Sequence, residues 1–171
     1  MRIFGFIIML ACGIAFSQPV RYADGTLCEC DETYKIYYES GALEHETAYK
    51  DDEMYSIEKW YYESGELMWE RPYVGNRLHG IERGFYKSGI VRLEIPYYKD
   101  RKHGIQKEFY ESGAIKRVVP YWKDKKRGKE EGFNVDGSIA YIAKYKNGEL
   151  RGYKKCTDGR KGYESLDCLK N

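Results

Sequence analysis

His79 and His103 each stand directly before a glycine, Gly80 and Gly104, and 24 residues separate them. Imidazole is the usual metal ligand and general base near neutral pH, so this pair is the first place to look for chemistry. If the two occupy the same turn of successive two-strand units, about 10 Å lies between them. That is too far to share one zinc, whose nitrogen ligands sit at about 2 Å. They read instead as exposed turn residues, and His45 has no such companion. Cys28 and Cys30 offer two thiols with no second pair nearby, which argues against a metal knuckle. Asp51, Asp52 and Glu53 gather carboxylates in a turn, where water solvates them. No Ser-His-Asp order, phosphate-binding loop or nucleotide fingerprint occurs. The expectation is a chain with no catalytic residues, no metal site and no cofactor, and therefore not an enzyme.

The turns that carry the histidines are better furnished for binding. They contain Arg77 and His79, then Arg101, Lys102 and His103, then Lys125, Lys126 and Arg127, and finally Arg151. Stacked units would bring these out along one edge as a basic rail able to grip phosphate groups. The opposite turns hold Glu39, Glu63, Lys87, Glu111 and Asp136 and are mostly acidic. A second candidate surface is aromatic, made by Tyr62, Tyr86 and Tyr110 together with Tyr73, Tyr97 and Tyr121. Charged turns also keep a single sheet soluble and block edge-to-edge growth, so the rail has a structural reading beside the functional one.

What must position these residues is a repeat. Gly41, Gly65, Gly89, Gly113 and Gly137 recur at 24-residue steps, as do Tyr49, Tyr73, Tyr97, Tyr121 and Tyr145. A second glycine series, Gly80, Gly104, Gly128 and Gly152, and the prolines Pro72, Pro96 and Pro120 keep the same step. A fixed short period is the mark of a repeat architecture. Within one unit, residues 91, 93, 95 and 97 are apolar with Arg92 and Glu94 between them, which predicts a strand with one covered and one wet face. A polar stretch, residues 98–104, closes on a glycine and reads as a turn; residues 105–110 form the return strand. The predicted fold is all-β: a single elongated antiparallel sheet of tandem 24-residue hairpins, in which like residues lie two strands apart, about 9.6 Å.

Trp60-Tyr61-Tyr62-Glu63-Ser64-Gly65-Glu66-Leu67, followed by Tyr73 and then His79-Gly80, resembles the MORN repeat variant found in many bacterial proteins. The pattern recurs at residues 85–89 and 109–115 and more faintly at 136–139, and it covers about residues 34–155. The resemblance implies hairpin units in an extended sheet with binding or scaffolding roles, and no catalytic residues. Some members are labelled antitoxins of the YwqK type, and others have been linked to phospholipid headgroups or protein partners. Aromatic pairs followed by Ser-Gly are also similar to carbohydrate- or choline-binding surface repeats, where rings stack on sugars or cage a quaternary ammonium.

The ends differ from the middle. Residues 1–17 have a positive start, an apolar run and small residues before a cleavage site, the plan of a secretory signal peptide. Cys12 leaves a lipoprotein variant as a minor alternative. Residues 18–36 are expected to form an N-terminal cap with a partial repeat, residues 37–155 five tandem repeats, and residues 156–171 a C-terminal cap. An exported chain can form disulfides, and Cys156 with Cys168 is the favoured pair, with Cys28 and Cys30 as a strained local one. Net charge is +2, yet residues 18–70 hold 4 Lys/Arg against 14 Asp/Glu while residues 71–171 hold 24 against 13. Such a charge dipole can steer an anionic partner to one end.

Together these point to an exported binding or interaction scaffold, periplasmic, cell-surface or secreted, with no transmembrane span once the leader is removed. Its expected partner is a protein or an anionic lipid or lipopolysaccharide surface. Nucleic acid fits poorly with export and near-neutral charge. A carbohydrate- or choline-binding module is the alternative reading, and an antitoxin- or immunity-like protein that binds a toxin is the second.

Overall fold

A computed structural model of the chain describes residues 32–156. The expected leader, Cys12, most of the N-terminal cap with Cys28 and Cys30, and the C-terminal cap beyond Cys156, with Cys168, lie outside the described residues.

The described residues are strands and turns. The chain enters on β1 (Glu32–Tyr37) and then repeats a three-part unit. The long members are β2 (Leu43–Lys50), β5 (Leu67–Val74), β8 (Val91–Tyr98), β11 (Ile115–Trp122) and β14 (Ile139–Lys146). A two-residue strand follows each of the first four: β3 (Glu53–Met54), β6 (Arg77–Leu78), β9 (Arg101–Lys102) and β12 (Lys125–Lys126). Then come the return strands β4 (Ile57–Tyr61), β7 (Gly80–Phe85), β10 (Gly104–Phe109) and β13 (Gly128–Phe133), and β15 (Glu149–Lys155) ends the series. All belong to one antiparallel sheet in the order β1-β2-β4-β5-β7-β8-β10-β11-β13-β14-β15, with each two-residue strand paired to the long strand before it. The single sheet of hairpin repeats expected from the 24-residue step is the fold.

Two kinds of turn alternate. At one edge a three-residue loop such as Lys87-Ser88-Gly89 joins return strand to long strand. The Gly89 N–H donates to the Tyr86 carbonyl and the Tyr86 N–H to the Ile90 carbonyl, both at 2.9 Å. Gly89 has φ +81°, the left-handed residue that such a loop demands, which is why the first glycine series cannot drift. Pairing then slips from Gly84↔Leu93 to Phe85↔Val91, leaving Arg92 as the extra residue of a β-bulge. Strict alternation over 91–97 therefore fails at its start. Val91 joins Phe85 on one face, whereas the Arg92 guanidinium lies 5.1 Å over the Trp69 ring on the other.

At the opposite edge the turn is tighter than the polar stretch suggests. Lys99 and Asp100 both have positive φ, +49° and +67°, and the chain is a strand again by Arg101. The residue pairs 51–52, 75–76, 123–124 and 147–148 repeat that geometry, the two-residue turn whose twist suits a hairpin. The second glycine series lies after this turn, where the chain steps into the next strand. A Cβ on Gly80 or Gly104 would meet the Cγ of Pro72 or Pro96 at 2.9 Å. Glycine and proline keep the same period because they touch.

Successive units are fastened at both edges. The hydroxyls of Tyr38, Tyr62, Tyr86 and Tyr110 donate to the carbonyls of Tyr61, Phe85, Phe109 and Phe133 in the next unit at 2.7, 3.0, 2.8 and 2.8 Å. At the tight turns, Asn76, Asp100 and Asp124 each accept the N–H of Met54, Leu78 or Lys102 of the preceding unit on Oδ1 at 2.8 Å. Their own N–H groups return to the same residues' carbonyls at 3.3, 2.9 and 3.0 Å. A hydrogen bond of this kind contributes about 1 kcal/mol net. Tyr86→Phe should therefore lower unfolding stability by about 1 kcal/mol with little change in the denaturant m-value, read from urea midpoints. An unchanged midpoint would remove the hydroxyl from the account of how units are joined.

Candidate functional site

The two faces of the sheet carry different chemistry. On one, Glu82, Gln106 and Glu130 pair in register with Ile95, Val119 and Ala143, and all six are buried. With Glu58 they form a polar row at the 24-residue step, beside the tyrosines at 49, 73, 97, 121 and 145. Their charges are met from neighbouring strands. Arg71 reaches Glu82 at 2.9 Å and Glu58 at 3.7 Å, while Glu130 takes Lys126 at 2.6 Å, Arg117 at 3.7 Å and the Tyr141 hydroxyl at 2.8 Å. Burial first, then the Glu82 carboxylate, pushes the Tyr97 phenol up to about 12; burial and Glu130 do the same to Tyr141. Burial disfavours the charged form of Lys126, but its bond and attraction to Glu130 outweigh that and raise its pKa.

The other face carries the prolines, and at its tight-turn edge lies the best candidate for a binding surface. The residue ending each long strand falls beside the residue before each glycine of the second series. The rings stack in a row: His79 to Tyr98 at 5.0 Å, Tyr98 to His103 at 6.1 Å, His103 to Trp122 at 4.2 Å. The Arg127 guanidinium lies 5.9 Å over the Trp122 ring and the Lys99 ammonium 5.7 Å over Tyr98. Three of the five long-strand ends face a cation across their turns, Val74↔Arg77, Tyr98↔Arg101 and Trp122↔Lys125. Tyr98 is 53 % and Trp122 48 % exposed, with Ile81 and Ile105 also open beside them. The aspartates among these cations, Asp100 and Asp124, already hold the Leu78 and Lys102 N–H groups.

The expected rail is thus divided. Arg77, His79, Arg101, His103, Lys125 and Arg127 share the exposed ring row. Lys102 and Lys126 fall on the glutamate face, where they lie 5.2 and 4.6 Å over Tyr121 and Tyr145 and bond Gln106 and Glu130. Arg151 pairs with Glu149 on the last strand. The six candidate tyrosines do not meet. Tyr62, Tyr86 and Tyr110 sit at the three-residue loops with their hydroxyls on carbonyls, whereas Tyr73, Tyr97 and Tyr121 line the glutamate face at the far end of the strands. Tyr98 and Trp122 escaped the sequence reading. The available signal was the phase Val74, Tyr98, Trp122, Lys146, which keeps the step but changes chemistry at each unit.

Two other features were weighed. A depression of about 170 Å³ lined by Tyr86, Arg92, Glu108 and Lys116, among others, is smaller than an ordinary ligand cavity. Near the N-terminal end, His45 stacks on Trp60 at 4.3 Å and meets Glu58 at 3.0 Å, yet His45 Nδ1, Thr47 Oγ1, Glu58 Oε2 and Trp60 Nε1 are buried with no hydrogen-bond partner. Among the described residues no group of three or more His, Cys, Asp or Glu could hold a metal ion.

Residues 33–51, 56–74, 78–100 and 102–123 match the family described as MORN repeat variant. Comparison with curated proteins gives no match.

Two expectations follow from the glutamate face. Spectrophotometric titration should show Tyr97 and Tyr141 still protonated when ordinary phenols have ionised, up to about 12. Because these folded pKa values are raised, their contribution is complete below the unfolded value of about 10 and is lost as pH climbs through about 12. Stability should fall across that window. Thr47, whose counterparts at the 24-residue step are Arg71, Ile95, Val119 and Ala143, buries a hydroxyl without a partner. Thr47→Val should stabilise the fold by about 1 kcal/mol, and a loss in thermal unfolding would show that the hydroxyl is satisfied.

Proposed function

We propose, for a chain that belongs to the MORN repeat variant family, a non-enzymatic role as an exported scaffold that binds an anionic envelope surface through its exposed ring-and-cation row. That family is one of repeat proteins with binding roles, which supports the general part of the reading. The finer part rests on the row itself. Rings that lie about half open to water, with Arg101 across the turn from Tyr98 and Lys125 across the turn from Trp122, make a surface ready for phosphate or carboxylate. Export rests on the leader expected at residues 1–17, and a protein partner with an acidic face would use the same chemistry.

Sedimentation with vesicles that contain phosphatidylglycerol, against neutral phosphatidylcholine, tests the reading over a salt series. The chain should bind the anionic vesicles and release them as salt rises. Arg101→Glu, Lys125→Glu and Arg127→Glu together should weaken binding at least about tenfold, since each reverses a charge worth about 1 kcal/mol near such a surface. Lys102→Glu is the internal contrast: it should change stability more than binding, because Lys102 faces Gln106 and Tyr121. Equal binding by the triple variant would overturn the role of the row.

A further inference from the structure

Within that reading, on which this inference rests, we infer that the row accepts a linear acidic polysaccharide laid along the tight-turn edge, over the two ring platforms Tyr98 and Trp122 and the cations of successive turns. Three consecutive units present the same three positions: Val74, Arg77 and His79; Tyr98, Arg101 and His103; Trp122, Lys125 and Arg127. They recur every second strand, about 9.6 Å. The cations Arg77, Arg101 and Lys125 recur at this fixed spacing, which matches a ligand with charges at a fixed spacing, and a chain of sugars bearing a carboxylate on each repeating unit has them.

The side chains present fit both halves of such a unit. The C–H face of a pyranose is apolar and lies flat on an aromatic ring, and Tyr98 and Trp122 offer rings that are half exposed. A uronate carboxylate matches a guanidinium fork, and Arg101 and Arg127 stand beside those rings, Arg101 across the turn from Tyr98 and Arg127 over Trp122. The carboxylates in these turns, Asp100 and Asp124, are outnumbered by Lys99, Arg101, Lys123, Lys125 and Arg127, and each is turned to an N–H of the preceding unit. The same composition would suit single-stranded nucleic acid if bases could enter between the rings. They cannot without displacing His103, which fills the space between Tyr98 and Trp122 at 6.1 and 4.2 Å. A bilayer rewards a patch whose apolar groups lead, whereas here each ring lies among cations, Lys99 and Arg101 beside Tyr98 and Lys125 and Arg127 beside Trp122.

Alginate, a linear polyuronate, is the direct probe, with dextran as neutral polymer, phosphatidylglycerol vesicles and an oligothymidylate as comparators, followed by Trp fluorescence and calorimetry on the full chain. Alginate should bind, dextran should not, and fragments long enough to span two platforms should bind more tightly than a disaccharide. Tyr98→Ala with Trp122→Ala should weaken alginate binding at least about tenfold, the order expected for losing stacked platforms. Tyr98→Leu with Trp122→Leu, which keeps apolar bulk, should do the same with an unchanged urea midpoint, so that a loss through misfolding is told apart. Vesicle binding without alginate binding would overturn this inference and leave the proposed function standing. Failure of both would overturn both. Ring variants that bind alginate normally, or oligothymidylate binding more tightly than alginate, would also end it.

Discussion

A sheet one layer thick has no second layer to lock it, so the register between units is the constraint on which everything else depends. In a two-layer fold a one-residue slip would bury polar groups against a partner layer. Here that penalty is weaker, and both edges of the sheet carry fasteners in its place. Tyrosine hydroxyls from one unit find carbonyls of the next, and aspartate or asparagine at the tight turns grips a residue of the preceding unit with donor and acceptor at once. Each fastener works only if the 24-residue step is kept. The period in the sequence is a consequence of that hydrogen bonding as much as of strand length.

Burial follows from the same thinness. The buried set contains few apolar residues, Ile95, Val119 and Ile142 with two alanines, and nearly as many charged or amide side chains, Glu58, Glu82, Gln106 and Glu130. Buried carboxylates tend to be costly unless paired. They are tolerable here because long cationic side chains and phenols from neighbouring strands close over them. The glutamate row replaces a hydrophobic core with a network, which also ties adjacent units together, as Arg71 does between Glu58 and Glu82. The first two units are the exception: Thr47 and Arg71 stand where the later units put the aliphatic Ile95, Val119 and Ala143, and the Thr47 hydroxyl is buried without a partner.

Much of this was legible from spacing. The glycines at 89 and 113 announce a turn, whereas the close approach of the prolines to the second glycine series, where a Cβ would meet the Pro72 or Pro96 ring, could not be read from alternation. What stayed hidden had physical causes. A bulge changes face without changing composition, so Arg92 looked solvent-facing. The row Glu58, Glu82, Gln106 and Glu130 went unread, because polarity ordinarily means exposure. Tyr98 and Trp122 share a phase with a valine and a lysine, so no single residue type marked the position. Lys102 and Lys126 were grouped with their neighbours by sequence proximity, whereas successive strand residues point to opposite faces.

The two edges of the sheet differ in charge and are fastened by different groups. At the three-residue loops the fastener is a neutral phenol, joined at Glu111 by a bond from the Ser88 hydroxyl of the preceding unit, and Glu39, Glu63 and Glu111 keep that edge acidic. At the tight turns the fastener is a carboxylate wherever aspartate is present. Asp100 and Asp124 each accept a backbone N–H on one carboxylate oxygen and keep their charge, so this edge is positive because its lysines and arginines outnumber them. Stability and recognition share the same turn: a neutral substitution at Asp124 would loosen the stack, by loss of the bond to the Lys102 N–H, and leave the cationic row more positive in a single step.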